Sequence, residues 1–395
     1  MDSTRNPGAE EMERSVEQRA AVKGCAEAKE QSGGRTQLTR RQFAVASSAV
    51  GLAATSGTLA DAAHGADDPA NAVANLIAKP PAGFQPMVAP GKITKVEAKS
   101  DFKSIMQPNL LWPQADIAEK LLERAMMEFT GAPNLTEAMK KFIHKDDIVA
   151  IKPNGIAGQK GATMAVNFEL ILPVVKAVLA VGVPAENITV YEQYPGFLMG
   201  TRVNVRDWKL PEGVKTGTHN NNNHPMKPVQ IFNGISTRYC RFFTEATAVI
   251  DMTQIKDHSI CGYTGTLKNI THGNVDNPHA HHAHQASPQI AMLYNHPIVT
   301  SRVRLHITDA FKVMYDRGPL DKDPRTRIPH GAVYVATDPV AMDTMGWKIV
   351  DDERKKRNIP SLKDSRREPR YVRNAGEFGL GVHDLNKIQM KSFTI

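Results

Sequence analysis

The sequence predicts an α/β protein, a mostly parallel sheet with helical crossovers in three layers, and three observations carry that reading. Ile148-Val149-Ala150-Ile151 is a short apolar run, Asn167 to Val181 has helical period, and Asn187-Ile188-Thr189-Val190-Tyr191 is a second apolar run. Strand, helix and strand in that order are what a parallel pair with a crossover requires. Three later segments, Ala248 to Thr253, Val303 to Thr308 and Val333 to Ala336, repeat an apolar run that stops at a polar residue opening a turn or helix. Finally, 41% of the 395 residues are hydrophobic, enough to bury the core of one large or two medium domains.

Taken in order, residues 1–38 are polar, with Thr39-Arg40-Arg41-Gln42-Phe43 ahead of a small-residue apolar run from Ala44 to Ala60. With Ala60-Asp61-Ala62 as a cleavage site, this is similar to a twin-arginine export signal, which makes the translocase a partner during export and places the mature chain in the periplasm or outside the cell. The run is too short, and too rich in Ala, Ser, Gly and Thr, for a membrane span. The expected layout is a leader over 1–62, a linker over 63–90, a single α/β domain over 91–375 and a tail over 376–395.

Within the domain, Lys92 to Val96 alternates as a strand, and Asp116 to Phe129 is a helix with Ile117, Leu121, Leu122, Ala125 and Met126 on one face. The stretch 201–241, with Asn220 to Asn223, has little period and reads as an irregular insertion. Asp338-Pro339 starts a helix over Val340 to Val350, with Asp as N-cap and Pro at the first position. From Asp351 to Arg373 the chain is charge-dense and reads as a solvated helix.

Charge narrows the function. The net charge is +8, and residues 1–62 carry eight basic and eight acidic side chains, so the excess belongs to the folded part. A moderate excess without basic blocks points to a small anionic ligand and not to nucleic acid. Cys25 lies in the leader, which leaves Cys240 and Cys261 to pair or to stay as buried thiols. No C-x-x-C occurs, so no iron–sulphur cluster is expected within the chain. Walker A, G-x-G-x-x-G and G-x-S-x-G motifs are also missing from the sequence, against nucleotide binding through those loops and against a serine hydrolase elbow.

Ile151-Lys152-Pro153-Asn154, the aspartate-bearing strand with Lys256 and His258, Leu267-Lys268-Asn269, Ile307-Thr308-Asp309-Ala310 with Gly318-Pro319, and Ala336 to Asp343 follow one another over 145–350. Together they resemble domain-of-unknown-function family 362. Some members carry ferredoxin-like cysteines that this chain lacks, and the resemblance implies no mechanism.

In open α/β sheets the ligand lies beyond the carboxyl ends of the strands. Lys152, Asn154, Glu192, Asp251, Lys256, His258, Asp309 and Asp338 are expected to collect there, with Lys268 and Asn269 on the following turn. Lys152, Lys256 and Lys268 either hold a carboxylate or phosphate or pair with Asp251, Asp257 and Asp309. His258, Asp309 and Lys268 are the candidates for proton transfer. Seven of the 14 histidines fall between His258 and His296. His279, His281, His282 and His284 suit a divalent metal, a solvated loop with adventitious affinity being the other reading. Two functions follow: metal-assisted or acid/base chemistry on a small anion, or a non-catalytic accessory protein that holds a metal or cofactor outside the cytoplasm.

Overall fold

The computed structural model describes residues 75–158, 163–220, 226–230 and 235–395. The leader with Arg40 and Arg41 lies outside the described residues, and the elements below all belong to the unit Gly65–Ile395. Its strands are β1 (Lys92–Glu97), β2 (Val149–Pro153), β3 (Ile188–Glu192), β4 (Lys215–Thr218), β5 (Met226–Gln230), β6 (Ser236–Cys240), β7 (Ala248–His258), β8 (Gly262–Thr264), β9 (Val303–Met314), β10 (Arg327–Ala336) and β11 (Gln389–Thr394). The α-helices are α1 (Ala115–Thr130), α2 (Leu135–Met139), α3 (Phe168–Val181), α4 (Pro195–Gly200), α5 (Arg241–Thr244), α6 (Thr266–Thr271), α7 (Gln289–Asn295), α8 (Pro297–Thr300), α9 (Pro339–Lys356) and α10 (Arg370–Glu377).

The main sheet is ordered β11-β1-β10-β9-β7-β2-β3-β4, with β8 folded back on the end of β7. Strands β4, β3, β2, β7 and β9 run parallel, β10 is antiparallel to β9 and to β1, and β11 is parallel to β1. Strands β5 and β6 form a separate antiparallel pair. Strand alternation divides the core. Val149, Ile151, Ile250, Met252, Leu305 and Ile307 pack with α1, α2 and α3 on one face. Ala150, Val249, Ala310, Tyr334 and Ala336 pack with α6, α7, α9 and α10 on the other. The result is the expected three-layer α/β fold, and no helix among the described residues is long and apolar enough to cross a membrane.

The helix signals hold at single residues. Asn167 precedes α3, and Gly182 ends it with φ +104, a conformation that glycine takes without a Cβ clash. Asp338 accepts the backbone N–H of Val340 and Ala341 ahead of Pro339.

Elsewhere the chain is more regular than its pattern suggests. Strands β7 and β9 continue to His258 and Met314, past the expected ends at Thr253 and Thr308, through register shifts at Gln254/Ile255. A bulge interrupts the period of 2 from which strand length is read. The stretch read as an irregular insertion supplies β4, paired to β3 through backbone bonds that need little apolar period. The charge-dense segment buries Tyr371 and Val372 at the start of α10, and the expected tail supplies β11.

Candidate functional site at the β2–β7 switch

The chain leaves β2 through α3 for β3 on one side, and leaves β7 through α6, α7 and α8 for β9 on the other. Because α3 and α6 cover opposite faces, the two connections part at the carboxyl ends of β2 and β7. That topological switch is where an open α/β sheet leaves a crevice.

Three polar side chains cross the sheet in one row below it. Lys152 of β2 is in register with Asp251 of β7, and Asp251 with His306 of β9. Asp251 is fully buried, its carboxyl pushed up by burial and held down in part by His306, whose Nδ1 lies 3.0 Å from Oδ2. Tyr294 Oη is 3.4 Å from the other ring nitrogen.

Asn269, presented by α6, ties the row together. Its Nδ2 donates to Asp251 Oδ1 at 2.7 Å and to the carbonyls of Lys152 and Met252, while its Oδ1 accepts from Asn154 Nδ2 at 3.2 Å and from Lys152 Nζ at 3.4 Å. The α6 turn fits here because Asp343 of α9 takes the N–H groups of Thr266 and Leu267.

The lysines differ by what they touch. Lys152 Nζ meets Pro153 O at 2.9 Å, Glu192 Oε1 at 3.1 Å and Asn269 Oδ1, so its three protons are spoken for. Glu192 in turn accepts Gly155 N and Gln193 N, and Gly273 approaches so closely that an added Cβ would stand 2.9 Å from Lys152 Cε. Lys256 Nζ donates to Asn154 Oδ1 at 2.5 Å and to Met164 O at 3.0 Å, leaving one proton over. Burial pushes Lys256 down to about 7. Lys268 Nζ has one polar contact among the described residues, His258 Nε2 at 2.8 Å, and burial lowers its proton affinity too. None of the three pairs with Asp251, Asp257 or Asp309, the alternative that the sequence left standing. Asp257 instead binds Arg367 and the N–H of Gly318.

His258 fixes the protonation of its partner. Its Nδ1 accepts the backbone N–H of Ile260 at 3.1 Å and of Cys261 at 3.3 Å, so the proton of the neutral ring is on Nε2 and points at Lys268. Burial keeps the ring well below the usual imidazole range. The His282 ring stacks on His258 at 5.6 Å and stands edge-on to His272 at 4.6 Å. Burial, then Lys268, bring His282 to about 3.

The histidine tract does not act as one unit. His282 faces His258, buried His281 turns to Thr237 Oγ1 at 2.8 Å, and His279 and His284 are exposed. Among the described residues no group of three or more His, Cys, Asp and Glu is set to hold a metal ion. Cys240 and Cys261 are separate buried thiols.

Two expected members are elsewhere. Asp338 sits beyond β10, which runs antiparallel to β9 and so ends at the opposite edge of the sheet. There it caps α9 and binds the N–H of Gly91 and Val382. Asp309 lies within β9 on the face of α3, its Oδ2 accepting Asn167 N at 2.7 Å and Asn167 Nδ2 at 2.8 Å. Its carboxyl, raised by burial, anchors the start of α3. An Asp309→Ala protein is therefore expected to lose about 2 kcal/mol in urea unfolding, from orphaned buried donors, with its response to sulfate unchanged. A loss of that response at full folding would return Asp309 to the site.

His306, Tyr294 and His219 are neighbours that sequence reasoning missed, and His272, counted in the histidine-rich stretch, was given no role of its own. His219 Nε2 reaches Gly273 O at 2.9 Å from beyond β4. A signal existed for His306: Lys152, Asp251 and His306 each stand between two apolar residues on neighbouring central strands.

A model of the family described as Domain of unknown function (DUF362) matches residues 149–348, about half of the chain and all the elements that build the site. No curated protein matches the sequence.

Proposed function

We propose, from the premise that this chain belongs to the domain-of-unknown-function family DUF362, that it is an exported enzyme binding a small carboxylate or phosphate at the β2–β7 switch and performing acid/base chemistry on it. One observation carries the reading. Lys256 and Lys268 are buried at a topological switch point without a carboxylate in contact among the described residues. An uncompensated buried ammonium is costly, so Lys256 gains when an anion arrives beside it, whereas Lys268 escapes that cost by resting as the uncharged amine. The spare proton of Lys256 supplies the anion contact, and the saturated ammonium of Lys152 holds Asn269 and Glu192 in place. Lys268 with His258 exchanges the proton.

The divalent ion expected from the histidine tract is not required here, since His258 and His282 act as imidazoles beside Lys268. The non-catalytic alternative, an accessory protein holding the same anion, shares the binding and lacks turnover.

The test is thermal and urea unfolding with sulfate and with phosphate at pH 6. An anion at a hundred times its dissociation constant adds about 2.7 kcal/mol. If neither anion stabilises the protein beyond the effect of chloride at equal ionic strength, the anion site is wrong.

A further inference from the structure

We infer that Lys268 is a covalent residue, whose uncharged amine adds to the carbonyl carbon of a small anionic carbonyl compound such as a 2-oxo acid. The inference rests on the anion site proposed above and names the substrate class for it.

Two observations assign the amine. His258 Nδ1 is taken by the N–H groups of Ile260 and Cys261, so Nε2 carries the proton and donates to Lys268 Nζ across 2.8 Å. A protonated lysine has no lone pair with which to accept that bond, so the contact requires –NH2 at Lys268. In addition, Lys268 touches no carboxylate or carbonyl oxygen among the described residues, unlike Lys152 and Lys256, so nothing there stabilises an ammonium. The nearness of Lys256 and Lys268 also favours one ammonium over two. Access also separates the three: Lys268 is 8% exposed, against 1% for Lys152 and 0% for Lys256. A buried, uncharged lysine amine beside a cation is how imine-forming lysines are activated.

The step balances within the site. The Nζ lone pair leaves the His258 proton and attacks the carbonyl carbon; the C–N bond forms as the C=O π pair moves to oxygen. The oxygen then departs as water with the two amine hydrogens, shuttled by His258, and the C=N bond remains. No oxidant or reductant is needed. The carboxylate of the same molecule takes the spare proton of Lys256.

The experiment incubates the full chain at pH 7 with pyruvate and sodium cyanoborohydride, then reads intact mass and maps the modified peptide. One reduced adduct per chain is expected, at Lys268, requiring both reagents. Sulfate should slow its formation at least tenfold, and acetone, which lacks the carboxylate, should react at least tenfold more slowly. Mapping uses the wild-type chain, so no variant has to fold. Adducts spread over exposed lysines with Lys268 unmodified, in a sample that sulfate still stabilises, overturn the covalent role and leave the anion site standing. If sulfate also fails to stabilise that sample, the anion site falls with it.

Discussion

Replacing Asn269 by alanine is expected to abolish the sulfate response and to lower the unfolding free energy by about 3 kcal/mol. The amide joins β2, β7 and α6 through contacts to Asp251, Lys152, Met252 and Asn154. Its removal strands one oxygen of the fully buried Asp251 carboxylate, which keeps only His306. Asn154, released from Asn269, no longer presents Lys256. Urea denaturation with and without sulfate reads both effects. A destabilised variant that still answers to sulfate with the wild-type increment would show that Asn269 supports the fold and not the site.

The second large effect separates stability from binding at a single position. Lys256→Met should make the ligand-free protein more stable at pH 6 while erasing the sulfate response. Burial takes Lys256 from 10.5 in the unfolded chain to about 7, opposed by Glu192 and Asp321. That displacement corresponds to a cost on the order of 5 kcal/mol, present in full below pH 7. Between 7 and 10.5 the unfolded chain holds the proton that the folded one has lost, so the cost shrinks as pH rises. Methionine removes it, and the orphaned Asn154 Oδ1 returns about 1–3 kcal/mol of the gain.

The net expectation is a stabilisation of about 2–4 kcal/mol at pH 6 that vanishes or reverses by pH 10. Anion binding has the opposite profile to the cost. It needs the ammonium, so sulfate affinity should be high at pH 6 and fall through pH 7 to 9. Sulfate keeps the same charge over that range, so the change reports the protein. A wild-type affinity independent of pH, or a destabilised Lys256→Met at pH 6, contradicts this account of Lys256.

Much of the site was legible because its residues are chemically conspicuous. Lys152, Lys256 and Lys268 are long cations at the ends of apolar runs or after a glycine turn, and burying them needs a reason. Asn154 and Asn269 flank them and came with the same motifs. Asp309 and Asp338 misled because each follows an apolar run as the site residues do, and the run discloses neither its direction nor how far the strand continues. Strand β10 is antiparallel to β9, so its end lies at the other edge. Strand β9 runs on through a register shift, which leaves Asp309 inside the strand on the α3 face. His306 was passed over because a histidine between Leu305 and Ile307 looks like core until Asp251 is placed beside it.

Residue order alone determined the strands β1, β2 and β3, the starts of β7 and β9, the second half of β10, the helices α1, α3 and α9, where α3 and α9 are capped, and that the sheet is covered on both faces. These depend on apolar period and on backbone bonds to near neighbours. Tertiary structure decided which way each strand runs, which face each polar side chain takes, and that His258 presents a proton to Lys268. Protonation inside a protein follows from the partners and the water that the fold leaves to a group. For Lys268 those partners come from β7 and the turn that follows it, brought against α6 only when the chain is folded.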